Sequence, residues 1–122
     1  MRILYFFFKV YILYIMIIKM KQLGKQIIVV INGDLDSEGD KQLSELLYNI
    51  RKLKNFEKVS FDMSVVKAAT SSSIGMLLNF YKFLDSTERK MEINGISDSL
   101  YHQFKEIHLE AIFPIVQKNK TK

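Results

Sequence analysis

The chain has no cysteine and no tryptophan, and only one proline among 122 residues. Without cysteine there is no disulfide framework, no thiolate nucleophile and no thiolate metal site, and the composition suits a reducing cytosol. Histidine is almost as scarce. His102 and His108 are six positions apart, so helical geometry does not bring them to one face, and neither has a metal-ligand partner at useful spacing. A glycine-rich phosphate loop with its lysine is missing. "SSSIG" lacks the glycine that precedes the serine of a nucleophile elbow, and "GDLDSEGD" lacks the glutamate that closes a calcium loop. The sequence therefore reads as a non-enzyme, with no metal and no cofactor.

Charge of one sign is not concentrated either. The formal charge is +5, but acidic residues are interleaved with basic ones through the middle of the chain. Only the patch Lys52, Lys54 and Lys58 and the tail "QKNKTK" are locally basic, with no aromatic-basic pattern around them. Solvated surface accounts for both, and direct nucleic-acid binding is not expected.

The long apolar run at the start, "ILYFFFKVYILYIMII" (residues 3–18), spans 16 residues and contains Lys9. A membrane-spanning helix usually needs roughly 20 apolar residues. No small-residue cleavage site comes after it, which argues against a signal peptide. Residues 1–15 read as an apolar N-terminal extension outside the functional domain, residues 16–116 as one domain and residues 117–122 as a basic tail. The alternative is a membrane attachment through residues 3–18, with Lys19, Lys21 and Lys25 keeping the remainder on the cytoplasmic side.

From residue 16 onward, strand and helix patterns alternate. "IIKMKQ" (Ile17–Gln22) and "QIIVVI" (Gln26–Ile31) flank Leu23-Gly24-Lys25 as a hairpin, and Asn32–Asp40 is a loop rich in turn formers. Leu43, Leu46, Leu47, Ile50 and Leu53 mark an amphipathic helix over Asp40–Leu53. Lys58–Ser64 is a strand with Val59, Phe61 and Met63 on one face. A very apolar helix, Ser72–Leu84, carries Ile74, Leu77, Leu78, Tyr81 and Leu84 as its stripe, widened by Met76, Phe80 and Phe83. Met91–Ile96 is the next strand, and Ser97 or Asp98 caps a helix through Leu100, Phe104 and Ile107. Ala111–Val116 is a final strand, placed at a sheet edge because Pro114 cannot donate to a ladder. The order β-β-α-β-α-β-α-β implies an α/β domain whose mixed, mostly parallel sheet carries packed helices.

Four consecutive hydroxyls, Thr70 to Ser73, stand at the mouth of the apolar helix. A cap at Ser71 or Ser72 would satisfy one orphan N–H and explain one of them. The free N–H groups and positive dipole end of a helix also tolerate a phosphate, whose charge there would alter partner binding.

The element order, together with "VVINGDLD", "FDMSVVKAATSSSIGMLL" and "MEINGISDSLYHQFKEIHLEAIFPI", resembles a STAS domain, specifically a bacterial anti-sigma factor antagonist. The family reads roughly Gly-x-Leu/Ile-Asp after an apolar strand, then Asp-Leu-Ser and Asp-Ser-Ser-Gly-Leu-Gly before an apolar helix. Asp62, Met63 and Ser64 fall on Asp-Leu-Ser, while Ile74 and Gly75 fall on Leu-Gly. Ser71 falls on the serine that a partner kinase phosphorylates, with Ser72 and Thr70 the neighbouring alternatives. Thr70 replaces the usual Asp and Ser73 the first Gly. The resemblance implies a STAS-like fold and a partner surface at Asp34, Asp36, Thr70, Ser71, Ser72, Ser73, Ile74 and Gly75. It further implies binding to an anti-sigma factor that is a protein serine kinase, release of a sigma factor, inactivation by phosphorylation of Ser71, and resetting by a phosphatase. The alternative within the same fold is a scaffold or ligand-sensing module without phospho-switching.

Overall fold

Alternation of apolar side chains builds the central strands. In a computed structural model that describes residues 18–117, Gln26–Ile31 buries Ile27, Val29 and Ile31 and leaves the intervening residues half-buried. This is strand β2, and β1 (Ile18–Leu23) pairs with it antiparallel through a two-residue turn with Gly24 at φ +61°. Strands β3 (Lys58–Met63), β4 (Lys90–Ile96) and β5 (Ile115–Val116) are added in parallel. The sheet order is β1-β2-β3-β4-β5. Register aligns Ile27 with Val59 and Met91, and Val29 with Phe61 and Ile93, so one sheet face is continuously apolar.

Three helices supply the other half of a single core: α1 (Ser37–Arg51), α2 (Ser71–Ser86) and α3 (Asp98–Glu106). Phe61 and Phe80 meet edge to face at a centroid distance of 6.2 Å, joining β3 to α2. On α2 the buried stripe is Ile74, Leu77, Phe80 and Leu84; Leu78 and Tyr81, expected within it, are half-buried. The stripe is turned toward Phe80 because Phe61 receives it.

Other boundaries also differ from the sequence expectation. Helix α1 begins at Ser37, not Asp40, because Asp36 caps it by accepting the Gly39 N–H at 3.1 Å. It ends at Arg51, leaving Leu53 half-buried beyond it. Strand β3 stops at Met63, and Ser64 lies in the turn after it. Ser97, rather than Asp98, caps α3 through the Leu100 N–H at 3.1 Å. The last strand is only two residues long, since Leu109–Ala111 forms a 3-10 turn and Phe113 inserts into the core. Its edge position agrees with the expectation, and Pro114 takes part only as an acceptor, from the Ile93 N–H at 2.9 Å.

The N-terminal extension and nearly all of the basic tail lie outside the described residues. Among the described residues, no helix is long and apolar enough to cross a membrane.

Candidate functional site

The path from β3 into α2 begins with a turn held by one carboxylate. Asp62 Oδ1 accepts from the Ser64 N–H at 3.0 Å and the Ser64 hydroxyl at 2.6 Å. The β3–β4 register shifts between Phe61 and Met63, and Gly95 of β4 passes beneath the turn at φ +110°. A Cβ at Gly95 would fall 2.7 Å from Ser64 Oγ and 2.9 Å from Asp62 Oδ1, so this close approach requires glycine.

The loop from Val66 to Thr70 has its backbone groups matched on two sides. From the β2–α1 loop, Asp34 Oδ1 accepts the Lys67 N–H at 2.8 Å. Leu35 donates to the Ala68 carbonyl and accepts from the Thr70 N–H, both at 3.2 Å. From the α3 side, the Ser97 hydroxyl donates to the Val66 carbonyl, and Ser99 Oγ donates to the Lys67 carbonyl at 2.9 Å. The Gln103 amide brackets Ala69, accepting its N–H at 3.2 Å and donating to its carbonyl at 2.7 Å. Hydrogen bonds from both sides thus brace this loop and the start of α2 that follows it.

The hydroxyl cluster sits at that helix start. The cap of α2 is Thr70, not Ser71 or Ser72: its backbone is extended, and its Oγ1 accepts the Ser73 N–H at 3.0 Å. The strand-like bridge between Leu35 and Ala69 keeps the chain extended up to this point, which fixes where the helix can start. The four hydroxyls therefore divide into two pairs. Thr70 is half-buried and donates to Asp40 of α1 at 3.0 and 3.1 Å; Ser73 is fully buried and donates to the same carboxylate. Ser71 and Ser72, in the first turn, are exposed, and their hydroxyls bond to nothing among the described residues.

The other anticipated residues are placed less uniformly. Ile74 is buried and belongs to the core. Gly75 is half-buried with open space around the position of a Cβ, so packing does not demand glycine there. Asp34 and Asp36 are exposed, the first holding the loop and the second capping α1. Of the basic patch, Lys58 pairs with Glu92 at 3.3 Å and Lys52 lies over the Tyr48 ring at 4.2 Å. Both histidines are exposed. Among the described residues, no group of acidic or histidine side chains is arranged to hold a metal.

Asp40, Gly95, Ser99 and Gln103 were not singled out from sequence. Ser99 and Gln103 are four apart and share one face of α3, a spacing that could have flagged them as a pair. For Asp40 the local signal was weak, since an acidic residue in a first turn usually needs no explanation beyond the helix dipole.

Two solved structures have the same fold. The anti-sigma factor antagonist SpoIIAA in its unphosphorylated form superposes with a TM-score of 0.65 at 10% identity, covering 81% of this chain and 87% of that one. The Bacillus cell fate determinant SpoIIAA in the phosphorylated form gives a TM-score of 0.65 at 12% identity, with 84% and 94% covered. At these identities the likeness speaks for the fold alone. Independently, residues 17–121 match the model of a single family. The chain belongs to the STAS domain family.

Proposed function

We propose that this chain is a non-enzymatic, cytoplasmic anti-sigma factor antagonist. The unphosphorylated protein binds an anti-sigma factor that is also a protein serine kinase, and so frees a sigma factor. Phosphorylation at Ser71 switches it off, and a phosphatase restores it. The observation that carries this reading is the division of the hydroxyl cluster. Ser71, the serine that falls on the phosphoacceptor of the motif, is exposed at the start of α2, its hydroxyl bonded to nothing among the described residues, and it follows a loop braced from two sides. Nearly two added negative charges there would oppose a desolvated contact with a partner.

Ser72 shares the exposure of Ser71, whereas Thr70 is engaged both as cap and as donor. Incubation with an anti-sigma factor serine kinase and ATP, followed by mass spectrometry, tests the assignment. Phosphate is expected on Ser71 and lost in Ser71→Ala. Labelling that persists unchanged in that variant, or no labelling by any cognate kinase, would remove the switch.

A second reading is favoured by the bonds at Thr70 and Ser73, the two positions that leave the motif. In it the fold is a scaffold or ligand-sensing module that does not use a phosphoacceptor, with attachment to a membrane through residues 3–18 as one form. Ser71→Asp would then leave partner affinity unchanged, while the switch requires a loss of tenfold or more, about 1.4 kcal/mol.

A further inference from the structure

We propose that Asp40 is a positioning residue of the α2 N-terminus: a carboxylate contributed by α1 that stands in for the acidic residue missing at position 70. Its connection to phosphorylation rests on the reading of Ser71 as the phosphoacceptor; its connection to Thr70 and Ser73 does not.

The bonds close a loop in which Ser73 only donates, Thr70 both accepts and donates, and Asp40 only accepts. Thr70 Oγ1 donates its one proton to Asp40, at 3.0 Å to Oδ2 and 3.1 Å to Oδ1. The same oxygen accepts the Ser73 N–H at 3.0 Å. The Ser73 hydroxyl, fully buried, donates to Asp40 Oδ1. An ionised carboxylate has only acceptor sites, so both partners must be donors, and the two hydroxyls are. An aspartate at position 70 could still cap the helix, but it would bring no proton and would set two carboxylates against each other. A glycine at position 73 would delete the second donor.

The two departures from the motif are therefore one departure. Each replaces a residue that Asp40 could not use with one that it can. A negative charge stands next to the α2 N-terminus, where the helix dipole favours it, and in this chain α1 supplies it. Because Asp40 lies in the first turn of α1, the same carboxylate also favours that helix start.

This arrangement sorts the four hydroxyls. Asp40 engages Thr70 and Ser73 and leaves Ser71 and Ser72 open to modification. A phosphate on Ser71 would be one residue from Thr70 and would share the helix N-terminus with Asp40. The two anions then oppose each other, and phosphorylation weakens the tie between α1 and α2.

Chemical unfolding of the full chain tests the proposal. Thr70→Asp should lower the folding equilibrium constant at least tenfold beside Asp40, and by no more than about twofold when combined with Asp40→Asn, relative to Asp40→Asn alone. Equal losses in the two backgrounds would overturn the proposal. In the wild-type protein the Ser73 hydroxyl proton should be slowed in exchange and visible by NMR, which keeps the test open if Asp40→Asn does not fold. A rapidly exchanging Ser73 hydroxyl would likewise overturn it. Phosphoserine placed at position 71 by genetic encoding needs no kinase. It should reduce the folding equilibrium constant at least threefold more in wild type than in Asp40→Asn, and an equal effect would sever Asp40 from the switch. Kinase labelling of Ser71 is a separate measurement, so the switch and the Asp40 ring can fail independently.

Discussion

Gln103 and Ala69, on different elements, exchange two hydrogen bonds: the Ala69 N–H to Oε1 at 3.2 Å and Nε2–H to the Ala69 carbonyl at 2.7 Å. The side-chain amide behaves as a neighbouring strand would, pairing a residue that the sheet has already left behind. Through it α3, which has no part in the hydroxyl cluster, controls the loop that delivers the cluster.

Gln103→Ala should therefore destabilise the domain by about 1–3 kcal/mol, the usual result of stranding poorly solvated backbone groups. Gln103→Glu keeps the acceptor but sets a second carboxylate oxygen against the Ala69 carbonyl, and should cost at least as much as Gln103→Ala. Urea denaturation gives the size of the effect, and hydrogen exchange at the Ala69 amide shows whether the loop has opened locally.

Two glycines should respond in opposite directions. At Gly95 a methyl would press within 3 Å of the Asp62–Ser64 turn and demand positive φ from a residue with a Cβ. Gly95→Ala should cost at least about 2 kcal/mol, combining overpacking and backbone strain. Gly75 lies within α2 with open space at its Cβ, and Gly75→Ala should add roughly 0.5–1 kcal/mol of helix stability. Urea denaturation of the two variants measures both changes. If the stabilised Gly75 variant loses partner affinity, the bare backbone at Gly75 serves a close approach from outside the chain.

The contrast reflects what the sequence could and could not disclose. Strand β3 was readable because Val59, Phe61 and Met63 alternate, and α1 because its leucines recur at helical spacing. Local periodicity carries such elements without knowledge of the partner face. The centre of the α2 stripe was not readable: with Met76, Phe80, Tyr81 and Phe83 all apolar, only the position of Phe61 selects the buried side. The short β5 was over-extended for a similar reason, since Phe113 was drawn into the core. Ser71 could be located by the motif, but its difference from Ser73 depends on Asp40, 33 residues away from Ser73 along the chain.

That difference gives a further prediction. Ser71→Asp places a charge on an exposed first-turn position and should change stability by no more than about 1 kcal/mol. Ser73→Asp places one in a fully buried position beside Asp40, and should cost more than about 3 kcal/mol or prevent folding. Thermal unfolding of the two variants side by side distinguishes them. A Ser73→Asp protein as stable as Ser71→Asp would mean that the two hydroxyls share one environment.

Asp34 is the residue for which support of the loop and contact with a partner are hardest to separate, because its side chain is exposed yet its Oδ1 holds the Lys67 N–H at 2.8 Å. An amide oxygen can accept the same hydrogen bond without the charge. Asp34→Asn should therefore keep stability within about 0.5 kcal/mol of wild type, while Asp34→Ala should lose about 1 kcal/mol. Partner affinity then separates the roles. If Asp34 only holds the loop, Asp34→Asn binds as wild type does and only Asp34→Ala weakens. If its charge meets the partner, both weaken together, and the loss from Asp34→Asn shrinks as salt is raised, because an exposed ion pair is screened.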